Sequence, residues 1–484
     1  MNNPAIQGES SPCPLVVDLD GTLIRSDLLW ESLAAILGRR PWLLFVMPFW
    51  LLAGRARLKA RVAQHHCPNP GALPYRPEVL ALCRAAHSSG RRLILASASP
   101  AAWVQPIAAH LGFFDAVLAT ESDRNLTGSE KLAAIREEIG DVDFAYLGNS
   151  RVDAPIWAAA REALGVGMSP SAARVLAGHS HPTVLESDAR SSASAWLGAL
   201  RPRQWAKNVL VFAPLVLAHD LADSQKLASV VLCFALFCAV ASAGYLLNDL
   251  LDLQSDRLHP AKRARPIASG ELSIPRAIVL LVGLLGTTLL AGSLWARPEV
   301  ALMLGAYAAI SFAYSIALKR TLLLDVLVLA GLYTHRILTG GVAADVSVSP
   351  WLLAFSAFFF LSLALVKRYL ELVQTRERAL EPNSRRAYEL GDIPMIEAVG
   401  ITCGLISVLV LCLYISSSDV SRLYNSPQLL WLICPVMFYW ITRIWFLARR
   451  GELDEDPVLF ATRDPRSYLV AVLSLAIVGA AASW

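Results

Sequence analysis

From about residue 205 to its end, this 484-residue chain repeatedly runs for 18 or more residues with hardly a charge. In hydrocarbon each backbone N–H and C=O must be satisfied within its own segment, so such runs can only be membrane-spanning helices. Nine apolar segments are expected, at about 208–218, 227–247, 275–294, 299–316, 322–340, 350–366, 394–416, 427–447 and 468–484. The first is short and reads as an amphipathic approach that extends back through Trp196. The first 190 residues carry no such rhythm, so a mainly soluble front precedes a membrane-embedded back.

Charge sets the expected orientation. The segment MNNPAIQGESSP lacks the basic start and apolar stretch of a signal peptide, which puts the front in the cytoplasm. The loops after the second, fourth, sixth and eighth segments then lie on that side. They hold sixteen Lys and Arg, against three in the opposite loops (Lys226, Arg297 and Arg422), in agreement with the positive-inside tendency. The expected protein is a multi-pass one of the bacterial inner membrane, with its C-terminus outside. A net charge of +4 gives no case for a nucleic-acid partner, and the eight cysteines form no CxxC pair or disulfide framework.

In the front part, CPLVVDLDGTLIRSD (residues 13–27) is an apolar run that ends in Asp18 and Asp20 and a Gly-Thr turn. A buried parallel strand with acids at its C-terminal edge is where α/β sheets place active sites. Two more apolar runs follow, one ending in Ser97 and one entering GNSRVD, and Lys131 stands at a helix start between them. In this order the motifs resemble those of the haloacid dehalogenase (HAD) phosphohydrolase superfamily. The resemblance implies an α/β Rossmann-like domain in which Asp18 is the nucleophile and Asp20 the general acid and base. Ser97 and Lys131 would hold phosphoryl oxygens. Mg²⁺ would sit among Asp18, Asp20, Asn149 and Asp153. Position 149 departs from the family, whose members usually carry an aspartate there. A helical cap is expected at about 28–89. Within it PWLLFVMPFWLLAGRARLKAR reads either as an interfacial helix on an anionic membrane face or as an ordinary core helix of the cap. The expected boundaries are 1–180 for this domain, 181–197 for a linker and 198–484 for the membrane domain.

At the end of the second apolar segment stands NDLLDLQSDRLHPAKRARPIASG (residues 248–270). Asp249, Asp252 and Asp256 are three and then four apart, so one helix face carries all three. Carboxylates so close at a membrane demand a cation among them. Mg²⁺ takes few carboxylates and completes its octahedron with water and phosphate oxygens, so a Mg²⁺-bound diphosphate is the natural complement. With nine spans, this NDxxDxxxD pattern resembles the first aspartate-rich motif of the UbiA-type prenyltransferase superfamily, an all-α membrane bundle. The second motif of that superfamily is incomplete here. TLLLDVLVL supplies Asp325, a further metal-ligand candidate, but has Thr321 where another carboxylate is usual.

RPRQWAKN, YSIALKR, HRILTGG and VKRYLEL narrow the resemblance to the decaprenyl-phosphate phosphoribosyltransferases, which make polyprenylphosphoryl-5-phosphoribose. That branch implies phosphoribosyl pyrophosphate (PRPP) and a polyprenyl phosphate as substrates. It implies Asp249, Asp252 and Asp256 as catalytic and metal-binding residues. The candidate substrate contacts are Lys207, Asn208, Asn248, Arg257, Lys262, Arg263, Arg265, Tyr314, Lys319, Arg336, Lys367 and Arg368, because one pocket must hold three anionic groups. The fused phosphatase would remove the 5-phosphate of the product. The alternative is transfer of an isoprenoid from its diphosphate to an aromatic, quinone or tetrapyrrole acceptor, with a regulatory or degenerate front domain.

Overall fold

The computed structural model describes residues 13–52, 54–121, 125–186, 192–377, 387–417, 420, 424–453 and 456–483. Four of the loop cations counted above, Arg378, Arg385, Arg386 and Arg422, lie outside the described residues. The chain forms two compact units: Met1–Ala199 with Asn248–Val279, and Leu200–Leu247 with Leu280–Trp484.

The first unit is built on a six-stranded, all-parallel sheet in the order β3-β2-β1-β4-β5-β6. Its strands are β1 Leu15–Asp18, β2 Leu93–Pro100, β3 Ala116–Thr120, β4 Ala145–Gly148, β5 Glu162–Val166 and β6 Pro182–Leu185. Strand residues alternate between the two faces of the sheet. Leu15 and Val17 pack with Leu93, Leu95 and Leu147 in one core, while Val16, Ile94 and Tyr146 pack with Ile135 and Trp157 in the other. Burial on both faces explains why the central strands read as unbroken apolar runs. Strand order reverses beside β1, the place where sheets of this kind bind ligands at the carboxyl ends of their strands. β6 falls inside the stretch read as linker. The cap between β1 and β2 is helical, with Leu28–Arg39, Met47–Leu52, Arg55–His65 and Pro77–Ser88.

Eight helices among the described residues are long and apolar enough to cross a membrane: Ser224–Leu251, Ile274–Trp295, Pro298–Ile316, Leu324–Ala344, Pro350–Glu377, Leu390–Ile415, Pro427–Arg449 and Pro465–Ser483. The first of the nine expected segments is not among them. It is a 3₁₀ helix, Pro202–Phe212, followed by the five-residue helix Ala213–Leu217. Each begins with a proline at its first or second position, and Pro214 interrupts what would otherwise be a continuous run. In the second unit this broken segment lies tight against the helix Leu324–Ala344. A Cβ at Gly340 would stand 2.0 Å from the Val211 carbonyl oxygen, so only glycine lets the two backbones approach.

Candidate functional site

In the first unit β1 delivers Asp18 to the C-terminal edge of the sheet, and Gly21, at φ +79°, turns the chain so that Thr22 folds back. Asp18 is buried. Its Oδ1 accepts from Lys131 Nζ at 2.6 Å and its Oδ2 from Thr22 Oγ1 at 2.9 Å. Lys131 Nζ also lies 3.9 Å from Asp153 Oδ1 and donates to the Tyr146 hydroxyl at 3.3 Å, which in turn donates to Asp153 Oδ1 at 2.9 Å. The other Asp153 oxygen accepts the backbone N–H groups of Asn149 and Ser150, at 3.3 and 2.9 Å. Burial disfavours the Lys131 ammonium, but Asp18 and Asp153 outweigh it and hold the group charged. Burial and the Asp18 charge push the Asp153 carboxyl up.

Asp20 stands in a different setting. Its Oδ2 accepts from Ser99 Oγ at 2.7 Å and Ser97 Oγ at 3.2 Å, and its Oδ1 from Leu28 N at 2.8 Å. Burial, then the nearby Asp27, raise its carboxyl to about 7. A carboxyl raised in this way can carry a proton near neutral pH, as a general acid requires. Thr22, Ser99 and Tyr146 escaped the sequence reading. Each sits in or beside a motif that was found, but nothing in the motif marks it.

The aspartates of residues 248–256 also belong to this unit. The helix Ser224–Leu251 ends there, Asp252 itself leaves helical geometry (φ −97°, ψ 10°), and Leu253–Leu258 resumes. The hydrogen bonds Asp252 N–H to Asn248 O and Asp256 N–H to Asp252 O carry the helical spacing through the break, each at 2.9 Å. Asp249 and Asp256 close on one guanidinium, with Arg265 Nη1 at 3.1 Å from Asp249 Oδ1 and 2.5 Å from Asp256 Oδ2. Burial raises the Asp256 carboxyl, and Arg265 only partly offsets this. Asp252 and Asn248 are half-buried, as is Lys262, while Arg263 is exposed.

Arg257 is turned elsewhere. It forms a two-pronged bond to Glu31 of the cap, at 2.6 and 2.8 Å, and its Nε donates to the Ala268 carbonyl at 2.9 Å. The side chain of Gln254 reaches His66 Nε2 at 3.1 Å.

In the second unit the cations stand in three buried arrangements. Lys207 and Lys367 both meet Asp456 Oδ2, at 2.6 and 3.3 Å, beside the Tyr333 ring and a cavity of about 40 Å³. Burial would raise the Asp456 carboxyl, but the two ammonium groups outweigh it and hold it well below the usual range. Arg368 pairs with Asp325 at 2.7 Å and with Glu371, and reaches the Tyr314 hydroxyl at 3.4 Å; the Tyr388 hydroxyl donates to Asp325 at 2.6 Å. Arg336 donates to Asn208 Oδ1, the Leu332 carbonyl and the Tyr307 hydroxyl at 2.6–2.8 Å, and faces the rings of Phe237, Tyr307 and Tyr333. Lys319 is buried. Asp325, a metal-ligand candidate from sequence, is thus already matched by a guanidinium.

Among the described residues no three His, Cys, Asp or Glu side chains are grouped as a ready metal cage. The donors nonetheless suit Mg²⁺. Asp18 and Asp153 share one cation at Lys131, and Asp249 and Asp256 share one at Arg265. Pairs of oxygen donors match an ion that takes one or two carboxylates and fills its remaining positions with water and phosphate.

Comparison with known proteins adds two family matches. The UbiA prenyltransferase family matches residues 209–463, and haloacid dehalogenase-like hydrolase matches residues 15–157. An uncharacterized protein of Sinorhizobium fredii is 36% identical over 95% of this chain and 89% of its own length. The nodulation protein NoeC of Azorhizobium caulinodans is 36% identical over 58% of this chain and 90% of its own. A decaprenyl-phosphate phosphoribosyltransferase of Mycobacterium tuberculosis is 32% identical over 59% of this chain and 93% of its own.

Proposed function

The chain belongs to the UbiA prenyltransferase family, and from that premise we propose that it transfers 5-phosphoribose from PRPP to a polyprenyl phosphate and that its haloacid dehalogenase-like domain then removes the 5-phosphate. The observation that carries this reading is the pairing of Asp249 and Asp256 around one positive charge. Such a pair favours a metal-bridged diphosphate, the leaving group of PRPP. Similarity to decaprenyl-phosphate phosphoribosyltransferases over most of their length supports this choice of substrates.

In the transfer, the anomeric C–O bond to diphosphate breaks and an oxygen of the lipid phosphate bonds to that carbon, so no protein nucleophile is needed. Asp249, Asp252 and Asp256 would hold Mg²⁺, which when bound supplies positive charge to the departing diphosphate. Lys207, Lys367 and Lys262 would each neutralise phosphate oxygens, as the resemblance implies, and Asp456 holds the first two together within their own unit. Arg336 and Arg368, each satisfied by several buried partners, brace the helices that present the other cations.

In the hydrolysis, Asp18 bonds to phosphorus while the P–O bond to the ribose 5-oxygen breaks, and Asp20 gives that oxygen its proton. Asp20 then takes a proton from water, whose oxygen bonds to phosphorus as the bond from Asp18 to phosphorus breaks, so that inorganic phosphate leaves and Asp18 is freed. Asp18, Asp153 and Asn149 would hold the Mg²⁺ of this second site. Lys131, kept charged between Asp18 and Asp153, steadies the phosphoryl oxygens.

The protein is a multi-pass membrane protein. We place it in the bacterial inner membrane with the aspartate loop in the cytoplasm, the side expected for the loops richest in Lys and Arg; Arg257 and Gln254 of that loop pack on the front domain, so the two share a side. A C-terminus outside then requires the broken stretch ahead of Ser224 to cross as well.

Purified protein incubated in detergent with Mg²⁺, PRPP and a polyprenyl phosphate tests the reading. Pyrophosphate and then phosphate should be released. Asp252→Ala should stop both, and Asp18→Asn only the second. Release of phosphate from the lipid product at an undiminished rate by Asp18→Asn would refute the coupling, and indifference to PRPP would refute the transfer.

A further inference from the structure

Beside the Asp18 site the cap encloses a cavity of about 580 Å³ whose chemistry is sharply divided. Its polar edge is made by Asp27, Lys59, Asn125 and Thr127. Three of these tie the cavity to different loops of the Asp18 site. Asp27 caps the helix that follows Asp20, with Leu29 N–H at 2.9 Å. Lys59 Nζ donates to the Ala98 carbonyl at 2.8 Å, between the two serines that bond to Asp20. Thr127 stands just ahead of the helix Ser129–Ile139, which carries Lys131. The remaining wall is apolar, chiefly Trp30, Leu33, Met47, Leu51 and Leu58.

A free sugar phosphate would fill this space badly, since its hydroxyls would lose water and find no partners along that wall. An isoprenoid chain has no such cost, and the volume is in the range of ordinary ligand sites. The helix Met47–Leu52 forms part of the wall through Met47 and Leu51, while on its other sides Phe49 and Leu52 are 69% and 85% exposed. Trp42 and Phe45, just before it, are 58% and 81% exposed. A strip of large apolar side chains this dense is what a peripheral helix lays into a bilayer surface. The same unit contains Asn248–Val279, and with it the end of one membrane helix and the start of the next, so the cap belongs to a body tied to the membrane.

We propose that this cavity takes the isoprenoid chain of a lipid-linked phosphomonoester, admitted from the bilayer across the Trp42–Leu52 strip, with Lys59 meeting the phosphodiester that joins lipid to sugar. The substrate of the front domain is therefore an amphiphile and not a soluble sugar phosphate. This rests on the phosphatase reading given above for Asp18.

The test uses the full chain in detergent with two probes, farnesyl phosphate and p-nitrophenyl phosphate. Leu33→Trp fills the cavity. Leu51→Asp puts a charge in its wall at a position 52% exposed, where folding tolerates the change. For both variants the kcat/KM for farnesyl phosphate, relative to that for p-nitrophenyl phosphate, should fall by about tenfold or more. An unchanged ratio in both overturns the proposal. Should the wild-type protein hydrolyse neither probe, the phosphatase reading fails, and equilibrium binding of farnesyl phosphate decides the cavity separately. Affinity reduced about tenfold by Leu33→Trp supports it, and affinity unchanged by both substitutions overturns it.

Discussion

Replacing Arg257 by methionine should loosen the front unit far more than a loop substitution normally does. The guanidinium and the Glu31 carboxylate are almost wholly enclosed, with side-chain exposures of 6% and 2%. Besides Glu31, Arg257 donates to the carbonyls of Ala268 and, at 3.4 Å, Ala72. Without it, Glu31 remains buried with no opposite charge, and breaking one partner of such a pair costs about 3–5 kcal/mol. For a unit of this size about 2–4 °C of melting temperature corresponds to each kcal/mol, so the first thermal transition should fall by roughly 6–20 °C. The complementary Glu31→Met leaves a guanidinium that keeps its two carbonyls, and should cost less. The double variant Glu31→Met with Arg257→Met removes both charges together and should recover most of the loss. Intrinsic fluorescence during heating in detergent measures all three. A loss below about 1 kcal/mol for Arg257→Met, or a double variant no better than that single one, would refute the reasoning.

Hydrolysis by the front domain should decline as pH rises through about 7, because Asp20 must be protonated to release the alcohol and its carboxyl titrates near there. The same raised value makes the contribution of Asp20 to stability greatest below its unfolded value of 3.8 and lost as pH rises towards 7, so Asp20→Asn should flatten the dependence of melting temperature on pH across that window. Gly340→Ala should destabilise the membrane unit by about 1–3 kcal/mol or more, since the Val211 carbonyl is backbone and cannot swing aside; a melting temperature unchanged in detergent would argue against the close approach. Asp456→Asn should raise KM for PRPP with a smaller effect on kcat, because it releases Lys207 and Lys367 without removing them; a fall in kcat alone would count against a positioning role.

Much of this architecture was readable in advance where burial forces a pattern. Residues 15–18 are covered on both faces, so β1 has to be a continuous apolar run, and its acids mark the carboxyl edge of the sheet. β6 was hidden because PTVL is short and mostly exposed at the edge of the sheet, and so carries no such run. Long apolar helices declare themselves by length alone, whereas Pro202 and Pro214 break the first apolar segment and its approach. The spacing of Asp249 and Asp256 revealed their shared face. It did not distinguish Arg265, which meets them, from Arg257, which meets Glu31, because the fold of the intervening loop decides that. Asp456 lies 249 residues from Lys207, and its local sequence announces only a helix cap, with the Val458 N–H at 3.1 Å. The cap segment could be read as core or as interfacial, and exposure of Phe45, Phe49 and Leu52 sides with the second.

That the front unit takes one of its pieces from beyond the helix Ser224–Leu251 has a bearing on synthesis. A ribosome finishes the sheet long before it makes Arg257, and a long hydrophobic helix must be threaded into the bilayer in the interval. Until then Glu31 waits without its partner. Final consolidation of the front unit is thus timed to follow the first steps of membrane integration, and a fragment ending near residue 199 would emerge as a nascent body missing one of its own buried ions.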